Sequence, residues 1–524
     1  MATISGAIAL SRHVTKTHRT PVELNQIAHG RISSGTVGLD RVLNGGLSPN
    51  RLYLVEGSPG SGKTTLSLQF LLDGKRRGER GLYITLSETK EELAAVAASH
   101  GWDLSGIDLF ELSSTEEVFG EGREQSILHP WEMELTGTIR LIQAEVERVK
   151  PARIVFDSLS EMRLLAQDAL RYRRQVLALK QYFAGRQVTV ILVDDLTDNG
   201  GVRDSHLHSL CHGVITLERT TLDFGAARRK LEVRKMRGIE FVGGYHDCRI
   251  RRGGIDVFPR LIAASHHKPF AGDPTPSGVG ELDALLGGGP LRGTSTLITG
   301  PAGSGKTTIA LQYLCAACER GEACVVYEFD ERIGTLFVRA KAMGLDLQGH
   351  VDKGLLRIVQ VDPAELPPGE FAWNLRHEVE ERRVRLVLFD SLSGYMAAMP
   401  QEQQLVLQMH ELLSYLNQRG VVTLLINPQS GLVGSMGTGG LNISYVADAV
   451  ILIRFFEAAG RIRKAISIIK NRGGPHEDAI RELRIDRKGV RVGKPLVEFS
   501  GVLTGTPEFL GDRAPLMEDR GSGG

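Results

Sequence analysis

Net charge, long apolar runs and cysteine are all scarce in this sequence. Its 63 Lys and Arg residues nearly balance 62 Asp and Glu residues, which leaves a formal net charge of +1. The chain therefore has no global basic field for nucleic acid, and only a local groove could bind one. No apolar run approaches the roughly 20 residues of a membrane-spanning helix. With 42% hydrophobic residues among 524, we expect a soluble chain that buries two full cores.

The five cysteines are an odd number, and no secretory signal is recognisable. This usage is typical of reduced thiols and of a cytoplasmic protein. Cys315 and Cys318 have a spacing known from metal and redox sites, but no second pair of ligands occurs at ligand spacing. We interpret the two as helix-packing residues, with metal binding or redox chemistry as the alternative.

A glycine-rich motif occurs twice, at residues 57–65 and 300–308. Both copies fit the pattern Gly-x4-Gly-Lys-Thr between a strand-like and a helix-like segment. In this context backbone N–H groups surround phosphates, the lysine reaches the β and γ oxygens, and the threonine hydroxyl binds Mg²⁺. A glycine turn with a chance lysine is the alternative. The predicted nucleotide-binding residues are Gly57, Ser58, Pro59, Gly60, Ser61, Gly62, Lys63, Thr64, Thr65, Gly300, Pro301, Ala302, Gly303, Ser304, Gly305, Lys306, Thr307 and Thr308.

The two motifs belong to an internal duplication. Lys63 and Lys306 are 243 positions apart, and the same spacing relates Glu88 to Glu331 and other matched residues. The repeated unit is about 230 residues long. We expect a disordered arm at 1–30, a first domain at 31–262, a linker at 263–276, a second domain at 277–498 and a flexible tail at 499–524. An organelle-targeting segment is the alternative for the arm.

Strand-like and helix-like segments alternate within each unit. Residues 52–56, for example, form an apolar strand pattern, 64–76 a helix pattern and 82–86 a second strand pattern. This alternation is typical of a parallel sheet covered on both faces. We therefore predict an α/β fold with two tandem P-loop NTPase domains, each a mostly parallel sheet flanked by helices.

Acidic residues follow the apolar strands at matching places in both units. Asp157 and Asp390 end such strands and are predicted as Walker B acids that hold Mg²⁺ through water. Glu88, Asp330 and Glu331 follow the strand after each P-loop helix, where a carboxylate could polarise the attacking water or hydroxyl. The alternative for these three is an acid favoured by a helix N-terminus. The predicted magnesium ligands are Thr64, Thr307, Asp157, Asp390 and Asp330.

A Lys-x-Arg-Gly motif lies near the end of each unit, with Lys235 and Arg237 in the first and Lys470 and Arg472 in the second. Alternation along a strand places each Lys and Arg on one face. Such a pair would suit the γ-phosphate held by a neighbouring subunit, in the manner of an arginine finger. Solvated basic strand ends are the alternative.

His206, His208, Cys211 and His212 cluster before the strand that begins near Val214. Metal binding is one interpretation of this composition. Because the residues alternate within a loop and have no acidic second shell, we favour a loop at an interface.

These features together resemble the family of the circadian clock protein KaiC and its bacterial homologues. The resemblance covers residues 30–505 and rests on the tandem P-loops, Phe-Asp-Ser-Leu-Ser at 156–160 and 389–393, Val-Phe-Pro-Arg-Leu at 257–261 and the Lys-x-Arg-Gly ends. It implies two RecA-like ATPase domains stacked as a two-tiered hexamer, with ATP and Mg²⁺ at subunit interfaces. It also implies Ser/Thr autokinase and autophosphatase activity in the second tier, and Kai-type or response-regulator partners.

The resemblance assigns further roles by position. The family's adjacent catalytic glutamates fall on Ser87-Glu88 and on Asp330-Glu331, so the first domain lacks one carboxylate. The family's phosphorylated Ser and Thr fall on Ser444 and Tyr445, which makes Ser444 the predicted phosphoacceptor. A RecA/RadA-type recombination ATPase would call for basic, glycine-rich DNA loops, which are not evident. A nucleotide-gated scaffold with little turnover is a third interpretation.

Overall fold

The protein is described by a computed structural model, which covers residues 30–112, 130–166, 168–196, 205–222, 225–396, 402–429, 447–458, 460–487, 489–502 and 508–509. The described residues form two compact units. The first ends at Pro259 and the second begins at Arg260, except that Thr220–Arg228 group with the second unit.

The first unit contains seven described helices and a nine-stranded sheet. The helices are α1 (Val37–Val42), α2 (Lys63–Arg76), α3 (Lys90–His100), α4 (Pro130–Val149), α5 (Leu159–Ala166), α6 (Ala169–Ala184) and α7 (Ser205–Leu210). The strands are β1 (Leu52–Gly57), β2 (Gly81–Thr85), β3 (Ile107–Glu111), β4 (Arg153–Asp157), β5 (Thr189–Asp195), β6 (Gly213–Thr220), β7 (Arg228–Met236), β8 (Tyr245–Arg251) and β9 (Gly254–Phe258). Their order across the sheet is β3-β2-β4-β5-β1-β6-β7-β8-β9.

The second unit repeats this arrangement. Its described α-helices are α8 (Gly280–Leu285), α9 (Lys306–Glu319), α10 (Ile333–Ala342), α11 (Leu347–Asp352), α12 (Pro368–Glu381), α13 (Leu392–Met396) and α14 (Glu402–Gln418), and a 3₁₀ helix spans Ala263–His266. Its strands are β10 (Ser295–Gly300), β11 (Cys324–Glu328), β12 (Leu356–Gln360), β13 (Leu386–Asp390), β14 (Val422–Pro428), β15 (Ala449–Ala458), β16 (Arg461–Asn471), β17 (Arg481–Asp486) and β18 (Gly489–Pro495). The order is β12-β11-β13-β14-β10-β15-β16-β17-β18, and β19 (Phe499–Ser500) pairs separately with β20 (Glu508–Phe509).

Both large sheets are mostly parallel, as the alternation of strands and helices predicted. In the first sheet β1 to β6 are joined by parallel pairings, whereas β7, β8 and β9 pair antiparallel. The second sheet follows the same scheme, with antiparallel pairing from β15 to β18. The prediction of tandem RecA-like α/β domains is confirmed. The sequence did not define β8, β17 and β18 as separate strands, because their many charged residues obscure the apolar alternation.

The central strands are buried on both faces. Every residue of β1, β4, β10 and β13 is buried, because helices and the antiparallel hairpins cover the two sides of each sheet. Each domain therefore has two apolar layers, one on either side of its sheet. This rigid frame fixes where the strand ends lie.

The strand register brings the polar strand ends together at one edge. In the first domain Gly57 is opposite Asp195, and Thr85 is opposite Asp157. In the second domain Gly300 is opposite Pro428, and Glu328 is opposite Asp390. Because parallel strands point the same way, their carboxyl ends form one crevice, which is the usual ligand site of such folds.

Candidate nucleotide-binding sites

Each glycine-rich loop connects the central strand to a mostly buried helix that begins at the lysine of the motif. Gly62 and Gly305 precede α2 and α9 with φ values of 112° and 106°, in the left-handed region that glycine adopts without strain. A Cβ atom on Gly57 would lie 2.3 Å from the Leu217 carbonyl oxygen. A Cβ atom on Gly300 would likewise lie 2.4 Å from the Ile453 carbonyl oxygen, so both loops pack directly against neighbouring backbone.

A serine hydroxyl in each loop is buried without a partner. Ser61 and Ser304 are both 0% exposed, and neither Oγ atom has a hydrogen-bond partner among the described residues. A buried hydroxyl without a partner costs free energy. The two hydroxyls thus fit a loop that a polar ligand completes.

The two P-loop lysines are buried but have different partners. Lys63 donates from Nζ to the carbonyl oxygens of Gly57 (2.9 Å) and Ser58 (3.1 Å), and Nζ lies 2.7 Å from Asp195 Oδ1. Lys306 donates from Nζ to the Pro301 carbonyl oxygen at 2.7 Å. Burial lowers the pKa of Lys306, and the charge of Asp390 opposes that shift.

In the second domain the threonine of the P-loop contacts Asp390, the predicted Walker B acid. Thr307 Oγ1 donates to Asp390 Oδ2 at 2.7 Å. Burial raises the pKa of Asp390, and the hydrogen bond from Thr307 opposes the rise. A hydroxyl and a carboxylate oxygen therefore meet at the open end of the P-loop.

In the first domain the matching acid has an additional partner. Tyr83 donates its hydroxyl hydrogen to Asp157 Oδ2 at 2.5 Å. Burial raises the pKa of Asp157, while the hydrogen bond from Tyr83 and the charge of Lys63 lower it. Tyr83 was not predicted from the sequence, because it lies within β2 and belongs to none of the recognised sequence motifs.

Glu88 lies beside this pair. Burial, and next the charge of Asp157, raise the pKa of Glu88 to about 7, and the charge of Lys63 opposes the shift. The Glu88 backbone N–H donates to Thr85 Oγ1 at 2.9 Å, and Thr85 Oγ1 donates back to the Glu88 carbonyl oxygen at 2.8 Å. Ser87 is exposed. The first domain thus has one carboxylate where the second has two.

In the second domain both acids after β11 have partners. Asp330 Oδ2 accepts a hydrogen bond from the Oγ of Ser391, the residue that follows the predicted Walker B acid. Glu331 Oε2 forms an ion pair with Arg339 Nη2 at 2.8 Å. The fold therefore brings the acids predicted from the sequence to the edge where the P-loop lies.

Two further carboxylates at these edges were missed from the sequence. Glu328 is 1% exposed, and burial, followed by the charge of Asp390, raises its pKa to about 8. Asp195 ends β5 and pairs with the P-loop lysine. A signal for Glu328 existed, because it ends the strand that precedes the predicted acids. Asp195 has no local signal, since only the sheet register brings it to the loop.

Three of the four cations of the Lys-x-Arg-Gly motifs donate hydrogen bonds to carbonyl groups of their own domain. Lys235 Nζ donates to the carbonyl oxygens of His208 and Cys211, the latter at 3.0 Å, and Arg237 Nη2 donates to that of Ser209 at 2.9 Å. They thereby satisfy carbonyls at the C-terminal end of α7, where positive charge is favourable. Lys470 Nζ donates likewise to the Ala447 carbonyl oxygen. The Arg472 side chain is exposed, and its backbone N–H donates to the Asp448 carbonyl oxygen at 2.9 Å.

The His and Cys cluster is divided among different contacts. His208 Nε2 lies 2.8 Å from Glu56 Oε2, and His212 Nδ1 accepts from the Leu52 N–H at 3.4 Å. Within the described part of the chain, no group of three or more His, Cys, Asp or Glu residues could hold a metal ion. Cys315 and Cys318 belong to α9, where both side chains are buried in the core, and all five cysteines are free thiols.

Two predictions concern other parts of the chain. Ser444 and Tyr445 lie outside the described residues. Among the helices that the structure describes, none is both long and apolar enough to cross a bilayer.

The fold, with a P-loop between the central strand and a buried helix in each half, defines a tandem P-loop NTPase. The family model described as "ATPase: KaiC" matches residues 32–262 and 275–497. The chain therefore belongs to the KaiC family of ATPases. It is similar to "Circadian clock protein KaiC3" of Synechocystis sp., with 27% identity over 486 residues, or 91% of this chain and 95% of the relative. It is also similar to "Circadian clock oscillator protein KaiC" of Synechococcus elongatus, with 27% identity over 485 residues and 90% of each chain.

Proposed function

We propose that this protein is a signalling ATPase that binds ATP at both P-loops and hydrolyses it with Mg²⁺. The observation that carries the proposal is the contact between Thr307 Oγ1 and Asp390 Oδ2 at 2.7 Å. It joins the two kinds of oxygen that P-loop enzymes use for Mg²⁺, at the end of a loop whose lysine is buried. Mg²⁺ usually takes only one or two protein ligands together with phosphates and water, so this small donor set fits the ion.

The chain's own residues then have separable roles. Lys63 and Lys306 neutralise the β and γ oxygens of the nucleotide bound in their own loop. Glu88 in the first domain, and Asp330 with Glu331 in the second, orient the attacking group. Thr307 and Asp390 would hold Mg²⁺, which would supply positive charge against the phosphates. Since phosphoryl transfer needs little covalent chemistry from the protein, positioning by these groups supplies most of the catalysis.

Nucleotide titration of lysine variants tests the binding assignment. The wild-type chain should bind two nucleotides, Lys63→Ala and Lys306→Ala one each, and the double variant none. The exposed Lys353 offers a matched control, because Lys353→Ala removes a charge of the same kind away from both loops. Unchanged stoichiometry in Lys306→Ala would show that the second loop has been wrongly assigned.

We further propose that the second domain phosphorylates Ser444. The support is the family resemblance of residues 442–448, together with a hydroxyl on serine that matches the acceptor chemistry. Tyr445 places its oxygen several ångströms further from the backbone, and in-line transfer tolerates little misplacement. Autophosphatase activity of the same domain would reverse this step.

Mass spectrometry after incubation with Mg-ATP tests the autokinase proposal. We expect one phosphate per chain on the peptide that contains Ser444, and none on Ser444→Ala or Lys306→Ala. Tyr445→Phe should keep the phosphate, which makes it the matched control. Phosphate that persists in Ser444→Ala would refute the assignment of the acceptor, and no phosphate on the wild type would leave an ATPase alone.

We also propose an ATP-dependent homo-oligomer, a hexamer by resemblance, that acts in the cytoplasm with Kai-type or response-regulator partners. Lys235, Arg237, Lys470 and Arg472 would contact the nucleotide of the adjacent subunit. All five cysteines are free, which fits a reducing compartment. Nucleic acid is not an expected partner, because the chain is nearly neutral overall.

A further inference from the structure

The turn that carries the predicted catalytic acids is held in the same way in both domains. Thr85 is the last residue of β2, and its Oγ1 accepts the Glu88 backbone N–H at 2.9 Å. Glu328 is the last residue of β11, and its Oε1 accepts the Glu331 backbone N–H at 3.1 Å. Thr85 and Glu328 are 243 positions apart, the same spacing that separates the two P-loop lysines. Two chemically different side chains therefore make the same bond.

Both side chains are at the strand edge that carries the Walker B acid. Thr85 is opposite Asp157 in the sheet, and Glu328 is opposite Asp390. The anchors are buried, with 0% exposure for Thr85 and 1% for Glu328, whereas the Glu331 side chain is 24% exposed. A fixed strand end thus supports an acid that is partly open to solvent.

We propose that Thr85 and Glu328 are positioning residues, which place Glu88 and Glu331 by accepting the backbone N–H of the turn. In this role Glu328 acts as a hydrogen-bond acceptor and does not react. The inference rests on the proposed function, in which Glu88 and Glu331 orient the attacking group. A neutral hydroxyl suffices for the same bond in the first domain, so the turn needs a hydrogen-bond acceptor and not a negative charge. Among the described residues, Glu328 Oε2 has no hydrogen-bond partner. The hydrogen bond that this carboxyl group makes there is the one from the Glu331 N–H to Oε1.

We therefore expect loss of an anchor to lower the rate of turnover and to leave nucleotide affinity unchanged. The P-loop makes the contacts expected to bind the nucleotide, and the anchors do not belong to it. Without the acceptor, the acid moves relative to the phosphates, and a shift of about 1 Å can cost about a hundredfold in rate. A loss of this kind lowers kcat and leaves KM for ATP nearly unchanged.

Two substitutions of equal size test the acceptor in the second domain. In full-length protein with Glu88→Gln to suppress the first domain, Glu328→Thr introduces the residue that the first domain uses. The valine of Glu328→Val has almost the same shape as threonine but no acceptor, so both variants alter packing and remove the carboxyl group to the same extent. We expect Glu328→Thr to retain most of the turnover. Glu328→Val should lower kcat about ten- to hundredfold, with KM for ATP within about twofold.

The reciprocal pair belongs to the first domain. In a Glu331→Gln background, Thr85→Ser keeps the hydroxyl and should retain most turnover, whereas Thr85→Val should lower kcat with little change in KM. The inference would be overturned if kcat were equal within both pairs, that is, for Thr and Val at position 328 and for Ser and Val at position 85.

The Glu88→Gln/Glu331→Gln variant tests the proposed function separately. If it hydrolyses ATP as fast as Glu88→Gln alone, the role of Glu331 is wrong. If its rate falls and kcat is still equal within both pairs of variants, only the positioning inference fails.

Discussion

Lys63 and Asp195 form an ion pair at the first P-loop, with 2.7 Å between Nζ and Oδ1. Asp195 reaches the loop because β5 lies beside β1, with Asp195 opposite Gly57. The equivalent position in the second domain, opposite Gly300, is Pro428, which has no charge. Two loops of nearly identical sequence therefore differ in their electrostatic surroundings.

We predict that Asp195→Asn tightens nucleotide binding by the first domain. The carboxylate competes with phosphates for the Lys63 ammonium, and Asn keeps an acceptor without the negative charge. Because the Asp195 side chain is 36% exposed, its ion pair is worth at most about 1 kcal/mol, or about a fivefold change in affinity. Titration in a Lys306→Ala background reports this domain alone. Asp108→Asn is the control, since Asp108 is similarly exposed and pairs with Arg148 away from the loop. Weaker binding by Asp195→Asn would show that the carboxylate assists the nucleotide.

We predict slow hydrolysis by the first domain, because only one carboxylate follows β2. Glu88→Gln should reduce the remaining rate by about 10²- to 10⁴-fold, the usual range for general-base assistance. Ser87→Glu should raise the rate, and the exposed position of Ser87 accommodates a longer side chain. Phosphate release in a Lys306→Ala background measures both effects. The absence of any gain in Ser87→Glu would mean that position 87 is not where a second acid acts.

We predict that Arg237→Ala and Arg472→Ala weaken ATP-dependent assembly or hydrolysis and leave nucleotide binding by isolated chains intact. The prediction follows from the proposed contacts with the neighbouring subunit's phosphates. Particle mass, measured with and without ATP, reports assembly. Arg252 is also exposed and lies in a turn, so Arg252→Ala is a matched control.

Arg237 has a second role, which the experiment must distinguish from its proposed contact with the neighbouring subunit. Its Nη2 already donates to the Ser209 carbonyl oxygen within the chain. Arg237→Lys keeps a cation that can contact this carbonyl but lacks the planar fork of arginine. If all three variants at positions 237 and 472 assemble and hydrolyse ATP like the wild type, the role across the subunit boundary is refuted.

We predict that Arg153→Ala destabilises the first domain by about 3 kcal/mol, because it leaves a buried charge without one of its partners. Arg153 is 1% exposed, pairs with Asp73 and Glu79, and donates from Nη1 to the carbonyl oxygens of Ser33 and Phe70. Calorimetry should show a lower unfolding temperature for the first domain and an unchanged one for the second.

The control for Arg153 is an arginine whose ion pair is open to solvent. Arg148 is 62% exposed and pairs with Glu145, so Arg148→Ala should leave both transitions nearly unchanged. Equal effects of the two substitutions would mean that the buried network contributes no more than a surface pair.

The sequence alone determined the class of the protein and the position of both P-loops. A P-loop is a local feature, since its glycines, lysine and threonine are adjacent in the chain and its flanking strand and helix follow directly. The duplication at a spacing of 243 positions reinforced each assignment. The prediction of an α/β fold rested on the alternation of segments, which is also local, and it is confirmed.

Only the tertiary structure decided which side chains meet at the strand edges. Lys63 and Asp195 are far apart in the chain and meet because β5 pairs with β1. Glu328 lies opposite Asp390 through the pairing of β11 with β13. The contact of Lys235 with the end of α7 likewise depends on where the chain returns after β6. Sheet register is set by packing of the whole core, so no spacing along the chain encodes these contacts.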